Sequence, residues 1–138
     1  MSTFQVYILA ADCALYEGPC ESLVVPTLQG QYGILPHHSN MIGAVIPGSM
    51  LYKIPDQPVQ TAAVSAGLVK VENNEVLVLV DSAERPEEID ENRAKRAADE
   101  AREALLQRKS IQEYRFAQAN LARAINRLRV KSSYENTL

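Results

Sequence analysis

Beyond Pro86 this 138-residue chain contains neither glycine nor proline, the two residues that punctuate everything before it. That absence excludes a second strand-and-turn domain after residue 86 and leaves helix as the regular structure there. No apolar run of about 18 residues occurs, which excludes a membrane-spanning helix. The opening Met1-Ser2-Thr3-Phe4 has neither the basic n-region nor the apolar h-region of a secretory signal. Cysteine is scarce: Cys13 and Cys20 stand alone, without a C-x-x-C or paired-histidine pattern. Two partly buried thiols in a reducing cytosol are expected rather than a disulfide, and no metal site is suggested.

Catalytic constellations are missing as well. There is no G-x-x-x-x-G-K-[ST] loop, no G-x-G-x-x-G turn, and Ser65 in Val64-Ser65-Ala66-Gly67 is not a G-x-S-x-G elbow. His37-His38 follows Pro36 in a turn, with no cysteine or acid at ligand spacing, and reads as a loop or interface pair. The expectation is a chain with no catalytic residues and no metal, not an enzyme on its own.

What is present divides at Glu84-Arg85-Pro86-Glu87-Glu88-Ile89-Asp90. Before it, Phe4, Val6 and Ile8 alternate with Gln5 and Tyr7, a half-buried strand. Leu23-Val24-Val25 follows Glu17-Gly18-Pro19 and is expected to end at Pro26. The stretch from Gly30 to Pro36 reads as a turn, a brief strand and a forced bend. Ile42 opens an apolar run closed by Pro47-Gly48, and Met50, Tyr52 and Ile54 alternate after it. Residues 64–71 read as one strand and Asn73-Asn74 as a hairpin turn. The unbroken Val76-Leu77-Val78-Leu79-Val80 predicts a strand covered on both faces, hence a sandwich.

Pro86 can neither continue a ladder nor sit inside a helix, and Asp90 is placed to cap a helix through the N–H of Asn92 or Arg93. Ile89, Ala94, Ala97, Ala98, Ala101, Ala104 and Leu105 then recur at helical spacing. Ser110-Ile111-Gln112-Glu113 matches a capping box, and Tyr114, Ala117, Leu121, Ala124, Ile125 and Leu128 share a face of a second helix. Two helices of about 16 to 20 residues, joined by a short break, pack antiparallel. The fold class is α+β, segregated: an all-β sandwich over residues 1–84, a hinge at 85–89, and an antiparallel two-helix hairpin over 90–138. Alanine stripes bury little area, so this hairpin is expected to open without disturbing the sandwich.

Charge follows the same division. Residues 1–83 carry seven acids against Lys53 and Lys70, a net of −5, and residues 84–138 carry ten acids against twelve bases, a net of +2. From Ile111 onward Arg115, Arg123, Arg127, Arg129 and Lys131 face only Glu113 and Glu135, a basic arm on an acidic protein. Arg123 and Arg127, four apart, project from one helix face toward the start of the first helix. Two readings stand there: cross-hairpin salt bridges to Glu84, Asp90 and Glu91, or a polyphosphate held by paired guanidiniums.

In this order, Gly30-Gln31-Tyr32-Gly33-Ile34-Leu35-Pro36-His37-His38, Val64-Ser65-Ala66-Gly67-Leu68-Val69-Lys70-Val71, Ala83-Glu84-Arg85-Pro86-Glu87-Glu88-Ile89-Asp90 and Arg123-Ala124-Ile125-Asn126-Arg127-Leu128 resemble the epsilon subunits of bacterial F-type ATP synthases, over nearly the whole chain. The resemblance implies a non-catalytic central-stalk (rotor) subunit on the cytoplasmic face of the membrane, coupling proton translocation to ATP synthesis. It implies a sandwich docked on the gamma subunit and the c-ring through the turn bearing Tyr32, Ile34, Leu35, His37 and His38. It also implies helices that extend toward the catalytic beta and alpha subunits and block ATP hydrolysis. No cofactor is required, but a regulatory ATP is implied, held on the folded hairpin by Glu84, Ile89, Asp90, Arg93, Ala94, Arg123 and Arg127. Glu100 departs from this pattern, since ATP-binding members carry arginine there and a carboxylate repels phosphate. His37 departs too: it stands where the turn carries glycine, which argues against a positive φ at 37. A free-standing nucleotide-sensing module is the alternative. A nucleic-acid binder ranks below it, because aromatics beside the basic arm are few and the whole chain is acidic.

Overall fold

The computed structural model describes residues 2–107 and 111–137. The chain forms two compact units, Met1–Arg85 and Pro86–Leu138.

The first unit contains ten strands: β1 (Phe4–Ala10), β2 (Ala14–Cys20), β3 (Ser22–Thr27), β4 (Gly30–Ile34), β5 (Met41–Val45), β6 (Gly48–Lys53), β7 (Gln60–Val64), β8 (Gly67–Glu72), β9 (Glu75–Val80) and β10 (Ala83–Glu84). They form two five-stranded sheets, ordered β2-β1-β9-β8-β5 and β10-β7-β6-β3-β4. Every pairing is antiparallel except β1 with β9. The inward faces bury Val6, Ile8, Leu23, Val25, Ile34, Met50, Tyr52, Val69, Val71, Val76 and Val78, among others, in one core.

Glu17, Gly18 and Pro19 lie inside β2, which runs past Pro19 to Cys20. Strand β2 is an edge, and Gln5, opposite Pro19, sends its own N–H to Asn74 on the other side. The N–H that Pro19 lacks would therefore point outward, where no ladder needs it. Pro26 likewise does not end β3, which runs to Thr27. Its carbonyl accepts from Ile46 N–H at 3.1 Å, so this face of Pro26 is turned away from β4. Residues 64–71 are two strands, not one: β7 ends in one sheet and β8 begins in the other. At that crossing a Cβ on Gly67 would lie 2.0 Å from the Leu79 carbonyl oxygen, so no larger residue fits. Ser65, 3% exposed, clamps the corner, with its Oγ accepting from Ser82 N–H at 2.7 Å.

Strand β9 is covered on one face only. Val76, Val78 and Val80 are buried, whereas Leu79 joins Leu68 and Ile42 as large apolar residues exposed on the outer face. The turn before it is as expected, with Asn73 and Asn74 at φ 49 and 63. Lys70 and Glu72 pair at 2.8 Å on the solvent side of β8.

The second unit opens with one turn of 3-10 helix, Pro86–Glu88, followed by α1 (Glu91–Gln107) and α2 (Ile111–Thr137). Lys131 Nζ, late in α2, donates to the Pro86 carbonyl at 3.3 Å, so the helices run antiparallel. Helix α1 has 17 residues, but α2 has 27, longer than expected because nothing from Lys131 onward breaks it. The buried residues of the pair are mostly small: Ala94, Ala98, Ala101, Ala117, Ala124 and Val130, while Ala104 is exposed. The Ser110-to-Glu113 capping box lies outside the described residues.

Candidate functional site

The Leu35 to His38 segment is built as a type II turn. His38 N–H donates to the Leu35 carbonyl at 3.2 Å, Pro36 fixes the second position, and His37 takes the third at φ 63. The glycine-like backbone is therefore kept without glycine, contrary to the sequence-based expectation. The turn is held from the β8–β9 hairpin: His37 N–H donates to Asn74 Oδ1 at 2.7 Å, and Asn74 Nδ2 donates to the Thr3 carbonyl at 3.0 Å. Asn40 Oδ1 accepts from Asn73 N–H at 3.0 Å, so three asparagines tie this turn to the β8–β9 hairpin.

Tyr32 and His38 complete the surface of the turn. His38 Nδ1 lies 2.8 Å from the Ser39 carbonyl, which can only accept, so Nδ1 carries the proton. Its Nε2 then accepts from Tyr32 Oη at 2.9 Å, with the rings edge-to-face. Leu35 is 63% exposed beside them, and Leu28 is exposed on the neighbouring turn. Ile34 differs from its expected surface role: it is wholly buried in the sandwich core, so it anchors the turn rather than presenting itself. The presented set is Tyr32, Leu35, His37 and His38, an apolar and hydrogen-bonding surface without Asp, Glu, Lys or Arg.

The residues proposed from sequence to hold a nucleotide are distributed over both units. Glu84 is half-buried at the end of β10, opposite Ala63 in the first unit. In the second unit, Asp90 Oδ1 accepts from Arg93 N–H at 3.1 Å, the N-cap expected from sequence. Ile89 and Ala94 are buried and serve packing, while the side chains of Asp90 and Arg93 are exposed. Arg127 stands one turn before Lys131, hence near the α1 start, with its Nε shielded from solvent. Arg123 is a further turn away and donates to Asn120 Oδ1 at 2.9 Å. On α1, Lys95 pairs with Glu91 at 3.3 Å and the exposed Arg102 with Asp99 at 3.4 Å.

The ATP synthase Delta/Epsilon chain beta-sandwich domain model matches residues 3–86, and the Delta/Epsilon chain long alpha-helix domain model matches residues 87–132. The ATP synthase epsilon chain of Nitrosospira multiformis is 38% identical over 128 residues, covering 93% of this chain and 92% of that relative. This chain belongs to the ATP synthase epsilon chain family. The epsilon chain of Thioalkalivibrio sulfidiphilus is 40% identical over 129 residues, 93% of this chain and 92% of that one. The epsilon chain of Caldanaerobacter subterraneus subsp. tengcongensis is 38% identical over 133 residues, 96% of each.

Solved structures share the fold at lower identity. A chain of the Euglena gracilis mitochondrial ATP synthase (OSCP/F1/c-ring, rotational state 1) aligns with a TM-score of 0.75 at 19% identity, over 88% of this chain and 77% of that one. A chain of the Tetrahymena thermophila mitochondrial ATP synthase central stalk and c-ring gives 0.62 at 10% identity, over 92% and 95%. The part of the Leu35–His38 turn that sequence reasoning missed is its support. Asn74, 37 residues along the chain, accepts from His37 N–H, and only the turn character of Asn73-Asn74 could have hinted at it.

Proposed function

We propose that this epsilon chain is a non-catalytic subunit of the central stalk of an F-type ATP synthase, at the cytoplasmic face of the membrane. Its sandwich docks on the gamma subunit and the c-ring through Tyr32, Leu35, His37 and His38, with Ile34 as their buried anchor. Family membership supports the assignment, and the observation that carries the docking role is the turn itself. It is exposed, carries no Asp, Glu, Lys or Arg, and is tied to Asn74, outside its own sequence, through His37 N–H. A preorganised surface of that kind loses little entropy on binding.

The hairpin is the regulatory part. In its folded form Asp90, Arg93, Arg123 and Arg127 hold one ATP; extended, its basic second helix meets acidic surfaces of the catalytic head and blocks hydrolysis. The alanine-rich packing supports a low cost of opening, and the common end shared by Asp90, Arg93 and Arg127 supports the nucleotide reading. Glu100 on exposed α1 opposes phosphate, so the affinity is expected to be weak.

The deciding experiment measures hydrolysis by the whole complex with and without residues 88–138, at low and high ATP. Truncation should raise hydrolysis; an unchanged rate rejects the brake. Calorimetry on the isolated chain separates the nucleotide claim, which fails if millimolar ATP gives no saturable heat or if Arg127→Ala responds like the parent.

A further inference from the structure

Between Glu21 and Lys53 the chain has no Asp, Glu, Lys or Arg, and this stretch includes β4, the open edge of its sheet. Edge strands expose unpaired main-chain groups and are normally guarded by charge, proline, a bulge or shortness. Of the other edges, β2 has Glu17, Pro19 and a register shift opposite it, β10 is two residues long, and β5 is uncharged like β4. Strand β4, Gly30-Gln31-Tyr32-Gly33-Ile34, has none.

The register fixes which groups are open. Pro26 turns its carbonyl toward Ile46, and Pro26 is opposite Gln31, so the N–H and C=O of Gln31 point away from β3. By the two-residue alternation Gly33, opposite Val24, points the same way. Gly33 carries a second sign. Its φ is ordinary and nothing lies within 4 Å of the place its Cβ would take, so neither conformation nor internal packing calls for glycine. Gly43 on the uncharged edge β5 differs, because a Cβ there would come within 3.1 Å of Met41 Cε. A strand glycine with open space where its side chain would be leaves room for another backbone or a ligand to approach closely.

We propose that β4 takes up an extended, uncharged strand of a neighbouring stalk protein, hydrogen-bonded to the main chain of Gln31 and Gly33. This rests on the reading of the chain as a stalk subunit and adds the mode of contact. A five-residue edge alone is far smaller than the roughly 1,000 Å² a stable interface buries. The added strand therefore belongs to a larger contact continuous with Tyr32 and Leu35, which favours a stalk neighbour over a second copy.

The test is amide hydrogen exchange on the full chain, free and within its assembled ATP synthase, together with Gln31→Pro and Gln31→Ala. Gln31→Pro removes an outward N–H that no internal ladder uses; thermal melting of the free variants reports folding separately. Exchange at Gln31 and Gly33 should slow at least tenfold in the complex, and Gln31→Pro should be retained at least tenfold less than a stable Gln31→Ala. Free-chain exchange rates at both amides in a complex that retains the chain overturn strand addition and leave the stalk reading standing. Absence of the parent chain from the complex overturns both. Protection in the free chain that rises with concentration, alongside a doubled mass, assigns the edge to a second copy and overturns the proposal.

Discussion

His37 N–H donates to Asn74 Oδ1 at 2.7 Å across 37 residues of sequence, and this bond holds a histidine at φ 63 where glycine would sit without strain. A non-glycine residue in this region costs about 1 kcal/mol or more. His37→Gly should therefore raise the melting midpoint of the first unit by a few degrees, less whatever the glycine gains in unfolded-chain entropy. Asn74→Ala should lower it, with a loss of about 1–2 kcal/mol for two side-chain hydrogen bonds. Thermal unfolding of the two single variants and the double variant checks both signs. Asn74→Ala without loss would remove the claim that this residue supports the turn.

Ser65 and Ser82 meet where the chain twice crosses between the sheets. Ser65 N–H donates to the Ser82 carbonyl at 3.0 Å while its Oγ accepts from Ser82 N–H at 2.7 Å. Ser65→Ala leaves that N–H without its acceptor in a nearly closed corner. The expected cost is about 1–3 kcal/mol, read as a fall in urea midpoint with unchanged slope. A midpoint equal to the parent's would show that water replaces the hydroxyl.

Much of this was legible because the signals are local. Alternation at Phe4, Val6 and Ile8 predicts β1, paired asparagines predict the β8–β9 turn, and Asp90 predicts the start of α1. The misses share another cause. Pro26 suggests the end of a strand, but it lies, like Pro19, where its missing N–H costs no ladder bond. The β7–β8 crossing depends on the Leu79 carbonyl lying against Gly67, a contact no window around residue 67 contains. At the Leu35–His38 turn the residue types were legible, but the burial of Ile34 and the support from Asn74 were tertiary facts.

The two cysteines should separate cleanly by reactivity. Cys20 is fully buried, its Sγ donates to the Ser22 carbonyl at 3.0 Å, and burial pushes its thiol pKa up; Cys13 is exposed. Iodoacetamide at pH 8 should label Cys13 promptly and Cys20 only as the sandwich unfolds. A folded pKa above the unfolded value favours folding fully below about pH 8.5. That contribution fades as pH rises through the folded value, so Cys20→Ala should flatten the alkaline loss of stability. Equal labelling rates would contradict the burial.

The hairpin should yield before the sandwich under native proteolysis. Among the described residues its buried side chains are mostly alanines, and each alanine in place of leucine forgoes roughly 2 kcal/mol, at about 0.8 kcal/mol per carbon. The sandwich instead buries Val, Ile, Leu, Met and Tyr side chains. Exposed Arg93, Lys95, Arg96 and Arg102 offer trypsin sites along α1, and cleavage there requires local opening. Asp90→Ala removes the carboxylate that accepts from Arg93 N–H, which costs about 1 kcal/mol and, if opening is fast and reversible, raises the nicking rate roughly fivefold. Mass spectrometry of timed digests should show fragments ending within residues 86–107 while residues 1–85 stay whole. Equal resistance in both units, or an Asp90→Ala rate matching the parent's, would mean that the hairpin is not the loosely held element its packing indicates.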